Sequence, residues 1–319
     1  MFIKRLSPDS LIIGAPAKVN LFLQVLDKRT DGYHNIYSLF QAVALFDRLT
    51  ITRRSEPGIQ IELVQKTAGP ALSVGPDNLI ARAYRGVAEK TGLTEGVFVR
   101  LEKNIPIAAG LGGGSADAAA AIVALDALYD LNMSQEVMAE IGLGVGSDVP
   151  FFFGGGQSLV SGRGEILQPS NFPLDYWVVL VTPPIAVSTG QAYQSLGRTG
   201  LTNPKRPFML DRCGSTDEFF SELKLIGNDF EENHLRSFPE LARIKDELLR
   251  SGAVLARMSG SGPTMFGLYR FAPPAELDSF VAGDGWSVHT VRPVVLPVCG
   301  SQHWGGDRGD YRDSGHPQE

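Results

Sequence analysis

Apolar positions in the first third of the chain alternate or run together as strands require. Leu11 to Val25 is apolar apart from a break at Pro16, and Asp31-Gly32 supplies a turn before a second apolar stretch, Leu39 to Phe46, so strand, turn and strand are predicted. Ile51, Ile59, Ile61 and Leu63 alternate in part, and Val97, Val99 and Leu101 do so cleanly, as half-buried strands do. Asn78 to Lys90 reads as a helix between them. Asp117 to Leu131 is Ala-rich with Ile122, Leu125, Leu128 and Tyr129 on one side, the clearest helical pattern in the chain, and Ser134 to Ile141 follows as another. Tyr176 to Val181, closed by Pro183-Pro184, predicts a buried strand, and Pro239 to Ser251 a helix. Arg257 to Tyr269 places a Ser/Gly-rich turn before an apolar run, and Ser287 to Val298 supplies late strand material. Strands and helices mix without regular βαβ alternation, which predicts an α+β protein in place of a doubly wound sheet. The 300–319 stretch, poor in apolar anchors, is expected to be a disordered tail.

Composition narrows the function classes. With 43% hydrophobic and 20% charged residues, the 319-residue chain has the balance of a globular protein. A net charge of -6 argues against a general binder of nucleic-acid backbones, which needs clustered Lys and Arg. The apolar run at Leu11 to Ile13 is too short for a signal-peptide core, and no segment is long and apolar enough for a bilayer, so no membrane association is expected. Cys213 and Cys299 form no CxxC, and the 5 histidines lack metal-ligand spacing. A cytoplasmic protein without a protein-built metal cage is expected.

The most informative stretch runs Pro106-Ile107-Ala108-Ala109-Gly110-Leu111-Gly112-Gly113-Gly114-Ser115-Ala116-Asp117, immediately before the Ala-rich helix. Glycines remove the Cβ atoms that would hold a phosphate away from the backbone, and a helix N-terminus offers unpaired N–H groups and a positive dipole end. An anion cradle is the reading, against a flexible loop without a ligand. Ser115 could cap the helix or turn its hydroxyl to magnesium or phosphate. Asp117 puts a carboxylate near that cradle, so it either points away or acts through a metal. No GxxxxGK[ST] occurs, which removes the Walker class. Gly110-x-Gly112-x-x-Ser115 with Asp130 resembles a dinucleotide fingerprint only superficially, because Asp130 falls near the end of the helix and not after a following strand.

Phosphoryl transfer to an alcohol needs a carboxylate for the acceptor proton and a cation for the moving charge. Gly146-Ser147-Asp148-Val149-Pro150-Phe151-Phe152 sets a lone acid between a glycine turn and an apolar run; a plain turn aspartate is the alternative. Ala15-Pro16-Ala17-Lys18-Val19-Asn20-Leu21 embeds Lys18 and Asn20 in apolar surroundings, where a lysine more often reaches to a solvated face.

Together, these segments and Met258-Ser259-Gly260-Ser261-Gly262-Pro263-Thr264 resemble the GHMP kinases, with the 106–117 loop as their phosphate-binding motif. More narrowly, Ala15 to Leu23, Asp31-Gly32-Tyr33-His34, Asp77-Asn78-Leu79-Ile80, Gly110 to Ala118 and Gly146 to Phe152 are similar to the diphosphocytidyl-methylerythritol kinase pattern, over roughly residues 11 to 298. The resemblance implies a two-domain α+β GHMP kinase fold, taken here as 1–160 and 161–299, with the active site in the cleft between them. It implies ATP with Mg2+ held mainly through the phosphates, and a small-molecule alcohol carrying a cytidine diphosphate group. On the matching positions, Asp148 would be the general base and Lys18 the cation that pairs with it and steadies the acceptor oxygen. Residues 106 to 116 would wrap the ATP phosphates, and Asn78 would lie near adenine or ribose. Asn20 would contact the substrate, Tyr33 would stack on the cytosine and His34 would bond its edge. The Ser259 to Pro263 turn would close over the cleft. Arg163 and Glu165 are either turn residues or part of the site, Thr182 to Thr189 could add contacts, and residues 198–217 are left unassigned. Another small-molecule kinase of this superfamily, a noncatalytic nucleotide binder and a nicotinamide enzyme are the competing readings.

Overall fold

The computed structural model describes residues 1–67, 69–197, 203–204, 206–209, 213–275, 277 and 285–298. The expected 300–319 tail, Cys299 and part of the 198–217 segment lie outside the described residues. Strands β1 (Phe2–Ser7), β2 (Ser10–Lys28), β3 (His34–Arg54) and β4 (Ile59–Gln65) precede helix α1 (Leu79–Thr91). Strand β5 (Gly96–Lys103) leads through the glycine loop into α2 (Gly113–Tyr129), followed by α3 (Gln135–Val145) and a 3-10 turn over Val149–Phe153. Next come β6 (Gln157–Ser161), β7 (Ile166–Pro169), β8 (Trp177–Thr182), α4 (Thr189–Ser195), α5 (Thr216–Lys224), α6 (Glu231–Ser237) and α7 (Pro239–Arg250). Strands β9 (Leu255–Met258), β10 (Met265–Tyr269) and β11 (Ser287–Val291) complete the order. The first sheet runs β1-β2-β3-β5-β4 with β6 and β7 branching from β3; the second runs β11-β8-β10-β9. The α+β expectation holds.

Three differences from the sequence reading have local causes. Pro16 does not end its strand. It falls where the β2–β3 register shifts, between Pro16 and Ala17, and a bulge tolerates a residue that has no N–H to donate. Every residue from Leu11 to Val25 is buried, so β2 is covered on both faces and no alternation marks it. Helix α2 starts at Gly113, four residues before the Ala-rich run suggests, and is buried all round from Ala116 to Leu128 with no exposed face. Its N-cap is Gly112 at φ 68, so Ser115 lies in the first turn and does not cap it. The C-terminal segment crosses back onto the first sheet, where Ala44 N–H donates to Arg292 O and Val294 N–H to Ala42 O.

Candidate active site

Lys18 and Asn20 stand two residues apart on β2 and therefore share one face of the strand. Only 4% of Lys18 is exposed, so it does not reach to solvent. Its Nζ donates to Asn20 Oδ1 at 2.5 Å, stands 3.4 Å from Asp148 Oδ2 and lies 4.5 Å above the Phe40 ring. Asn20 Nδ2 in turn donates to Ser38 Oγ at 3.1 Å, which fixes the amide so that its oxygen faces the ammonium. Asp148 opens the 3-10 turn whose three phenylalanines are buried, yet its carboxylate caps nothing and stays partly open to the site. The burial of Val149–Phe153 thus anchors the chain while the carboxylate remains available.

The glycine loop lies opposite. Lys18 N–H donates to Leu111 O at 2.9 Å, which ties the loop to β2. At Gly112, φ is 68 and a Cβ would come within 2.9 Å of Lys18 Cγ; at Gly110, φ is 77 and a Cβ would lie 2.2 Å from Ser259 O. Both glycines are required by close approach and by left-handed backbone. Ala108, Gly110 and Gly112 line the site, Pro106, Ala109, Leu111 and Ala116 are buried, Ile107 is half-buried, and Gly113, Gly114 and Ser115 form the first turn of α2 without a side-chain cap. That uncapped turn leaves backbone N–H groups without an intrahelical partner.

A cavity of about 240 Å³ joins these parts, with Lys18, Asn20 and Asp148 on one wall and the glycine loop on another. Gly260 and Ser261 of the late turn close a third side, and Ser261 Oγ lies 3.0 Å from Thr189 Oγ1. Arg163, Tyr193 and Phe230 complete the wall. Arg163, undecided from sequence, lies in the site with its guanidinium 5.0 Å from the centre of the Tyr33 ring. Tyr33 is exposed at the rim and His34 stacks on Tyr193 at 5.1 Å. Burial, and then the Asp148 charge, push the Tyr193 phenol up to about 12, so it keeps its proton at neutral pH. The sequence reading names no role for Tyr193; the packing of its ring against His34 and Phe230 is what marks it. Asn78 caps α1, with Oδ1 accepting from Ile80 N and Nδ2 donating to Ser73 O, and it does not line this cavity. A larger surface groove of about 420 Å³ lies between α1 and α3, where Arg82 and Arg85 are bonded to carbonyls and Lys90 pairs with Glu140.

Asp117 points away from the cradle. It is buried against Lys103, whose Nζ donates to Asp117 Oδ2 at 2.8 Å and also to Asp47. Asp47 Oδ1 accepts from Asn104 N and Ile105 N at 2.7 and 2.9 Å, so this trio grips the start of the glycine loop. Burial pushes the Asp117 carboxyl up to about 8, against the opposing pull of Lys103. Burial disfavours the Lys103 charge, but the two carboxylates outweigh it and raise the ammonium above its ordinary range. Among the described residues no group of three or more His, Cys, Asp or Glu side chains could hold a metal ion, and no helix is long and apolar enough to cross a membrane.

The chain is similar to known proteins over most of its length. Residues 78–156 match the family model described as GHMP kinases N terminal domain, and residues 213–282 match GHMP kinases C terminal. A 4-diphosphocytidyl-2-C-methyl-D-erythritol kinase of Geobacter metallireducens is 38% identical over 293 residues, 90% of this chain and 99% of the relative. One of Bacillus cereus is 40% identical over 261 residues, 81% of this chain and 88% of the relative. A crystal structure of 4-(cytidine 5'-diphospho)-2C-methyl-D-erythritol kinase superposes with a TM-score of 0.69 at 32% identity, covering 88% of this chain and 99% of that one. Homoserine kinase from Cytophaga hutchinsonii shares the fold at a TM-score of 0.68 and 19% identity, over 93% of this chain and 98% of its own. On the identity and full-length coverage of these relatives, the chain belongs to the 4-diphosphocytidyl-2-C-methyl-D-erythritol kinase family, a branch of the GHMP kinases.

Proposed function

We infer that the chain transfers the γ-phosphoryl group of ATP to the 2-hydroxyl of 4-diphosphocytidyl-2-C-methyl-D-erythritol, a step of the methylerythritol phosphate route to isoprenoid precursors. The observation that carries the chemistry is the Lys18–Asp148 pair, 3.4 Å apart in one cavity with the glycine loop. In this reading a bond forms between the acceptor oxygen and the γ-phosphorus, the bond to the bridging oxygen breaks, ADP leaves, and Asp148 takes the acceptor proton. Lys18 stabilises charge on the acceptor oxygen, and Asn20 holds Lys18 in place. The backbone N–H groups at the start of α2 suit polyphosphate, and the glycines at 110 and 112 let the loop before them pass close against Ser259 and Lys18. Magnesium, held chiefly through the ATP phosphates, would supply charge neutralisation during transfer. The Tyr33, His34, Arg163 and Tyr193 cluster, of which Arg163 and Tyr193 line the cavity, is suited to the cytidine diphosphate part: aromatic faces for the base and a guanidinium for phosphate.

The test is ADP formation from ATP and magnesium with this cytidyl substrate, beside mevalonate and galactose. Turnover with the cytidyl substrate alone is the expected result. Turnover only with another acceptor would keep the phosphoryl-transfer site and refute the assignment of the aromatic end.

A further inference from the structure

Residues 227 to 231, Gly-Asn-Asp-Phe-Glu, carry a feature that motif reading does not reveal. Leu23 N–H donates to Gly227 O at 3.1 Å and Asp229 N–H to Leu23 O at 2.9 Å, so the segment docks beside β2 just past Lys18 and Asn20. Asp229 Oδ2 also accepts from Val25 N at 2.8 Å. From the middle of this segment Asn228, buried at 7% exposure, donates through Nδ2 to Met258 O at 2.7 Å and to Gly260 O at 2.8 Å. Its Oδ1 accepts from Phe230 N at 3.0 Å, so both polar atoms of the amide are used. Those two carbonyls belong to the 259–263 turn and its approach, where Gly260 sits at φ 58. The turn in turn touches both halves of the site: Ser259 Oγ donates to Gly110 O at 2.9 Å and accepts from Asn20 N at 3.2 Å.

We propose that Asn228 is a positioning residue for phosphoryl transfer, which fixes the 259–263 turn against the strand carrying Lys18 and Asn20. The proposal rests on the function argued above. Asn228 itself does not line the cavity; Gly260 and Ser261 do, and they move if its two bonds are lost. Asn228 itself bonds neither the glycine loop nor the start of α2; the turn it fixes reaches that ATP cradle through Ser259 at Gly110 O. Its removal therefore acts on the geometry of transfer more than on ATP binding, and small displacements of reacting groups are expensive in rate.

The experiment is a double-mutant cycle with Asn228→Ala, Ser259→Ala and the pair, measuring kcat, KM for ATP and for the cytidyl substrate, and the thermal midpoint. Asn228→Ala is expected to lower kcat roughly 30-fold, about 2 kcal/mol in the barrier, while KM for ATP stays within about 3-fold. The double variant is expected to lose little more than the worse single one, because both changes release the same turn. Losses that multiply, or a kcat within about 3-fold of wild type, overturn the proposal. Where Asn228→Ala does not accumulate folded, Asn228→Asp, of equal volume and still able to accept from Phe230, takes its place. Failure of both to fold would make Asn228 a folding residue and also overturn it. Wild-type enzyme inactive on the cytidyl substrate would instead count against the assigned acceptor, and the cycle then runs on the acceptor it does use.

Discussion

Replacing Lys103 with methionine removes the only cation from a trio in which Asp47 is 0%, Lys103 2% and Asp117 2% exposed. Methionine keeps most of the volume and none of the charge. Breaking a buried ion pair by deleting one partner costs about 3–5 kcal/mol, because the remaining charge stays out of water. Here part of that cost is avoided. Burial already drives the Asp117 carboxyl up to about 8, and without Lys103 to oppose it Asp117 is neutral throughout the neutral range. Asp47 keeps its two backbone donors from Asn104 and Ile105. The loss is therefore set at the lower end, about 3 kcal/mol at pH 7. At roughly 2–4 °C per kcal/mol, the thermal midpoint falls by about 6–12 °C. KM for ATP rises as well, because a Cβ at Gly113 would lie 3.1 Å from Lys103 Nζ, so the first turn of α2 rests directly on the ammonium. Thermal melts and ATP saturation curves on the same preparations read both effects. A K103M enzyme that melts within about 2 °C of wild type and saturates with ATP normally would refute the view that this trio supports the phosphate loop.

Asp148→Asn retains shape but cannot take a proton; kcat is expected to fall about 100- to 10,000-fold, with ATP affinity by calorimetry little changed, and loss of ATP binding would show that Asp148 holds nucleotide or fold instead. Asp117→Asn tests the pH linkage. The folded carboxyl sits above its ordinary value of 3.8, so folding takes up a proton between about pH 4 and 8, and that contribution to stability is lost as pH rises through about 8. Relative to wild type, the midpoint of D117N should climb from pH 5 to 8 and then level off; a pH-independent difference would contradict a raised Asp117 carboxyl.

Much was legible in the sequence because its cause is local. The Ala-rich run announces α2, and a glycine cluster directly before a helix signals an anion cradle whatever the rest of the chain does. Where local signals failed, the environment had erased them. Strand β2 is buried on both faces, so the apolar run around Lys18 and Asn20 shows no alternation and cannot say which way those side chains point. Bare of context, Lys18 reads as a surface lysine. Only its contacts with Asp148 and Asn20 on the same wall of the cavity give its buried charge a reason.

The sequence by itself determined the class of protein: an α+β chain whose motif set matches one kinase family and whose helix N-terminus can hold phosphate. Tertiary structure decided which groups meet. It turned Asp117 away from the glycine loop and into a buried trio, made Asn78 a helix cap, and brought Arg163 and Tyr193 into the cavity wall. It also laid residues 227–229 beside Leu23, through backbone groups every residue type carries. The physical reason is the same in each case. Propensity, capping and glycine geometry act within a few residues, whereas burial and pairing of charges depend on segments that only the folded chain brings together.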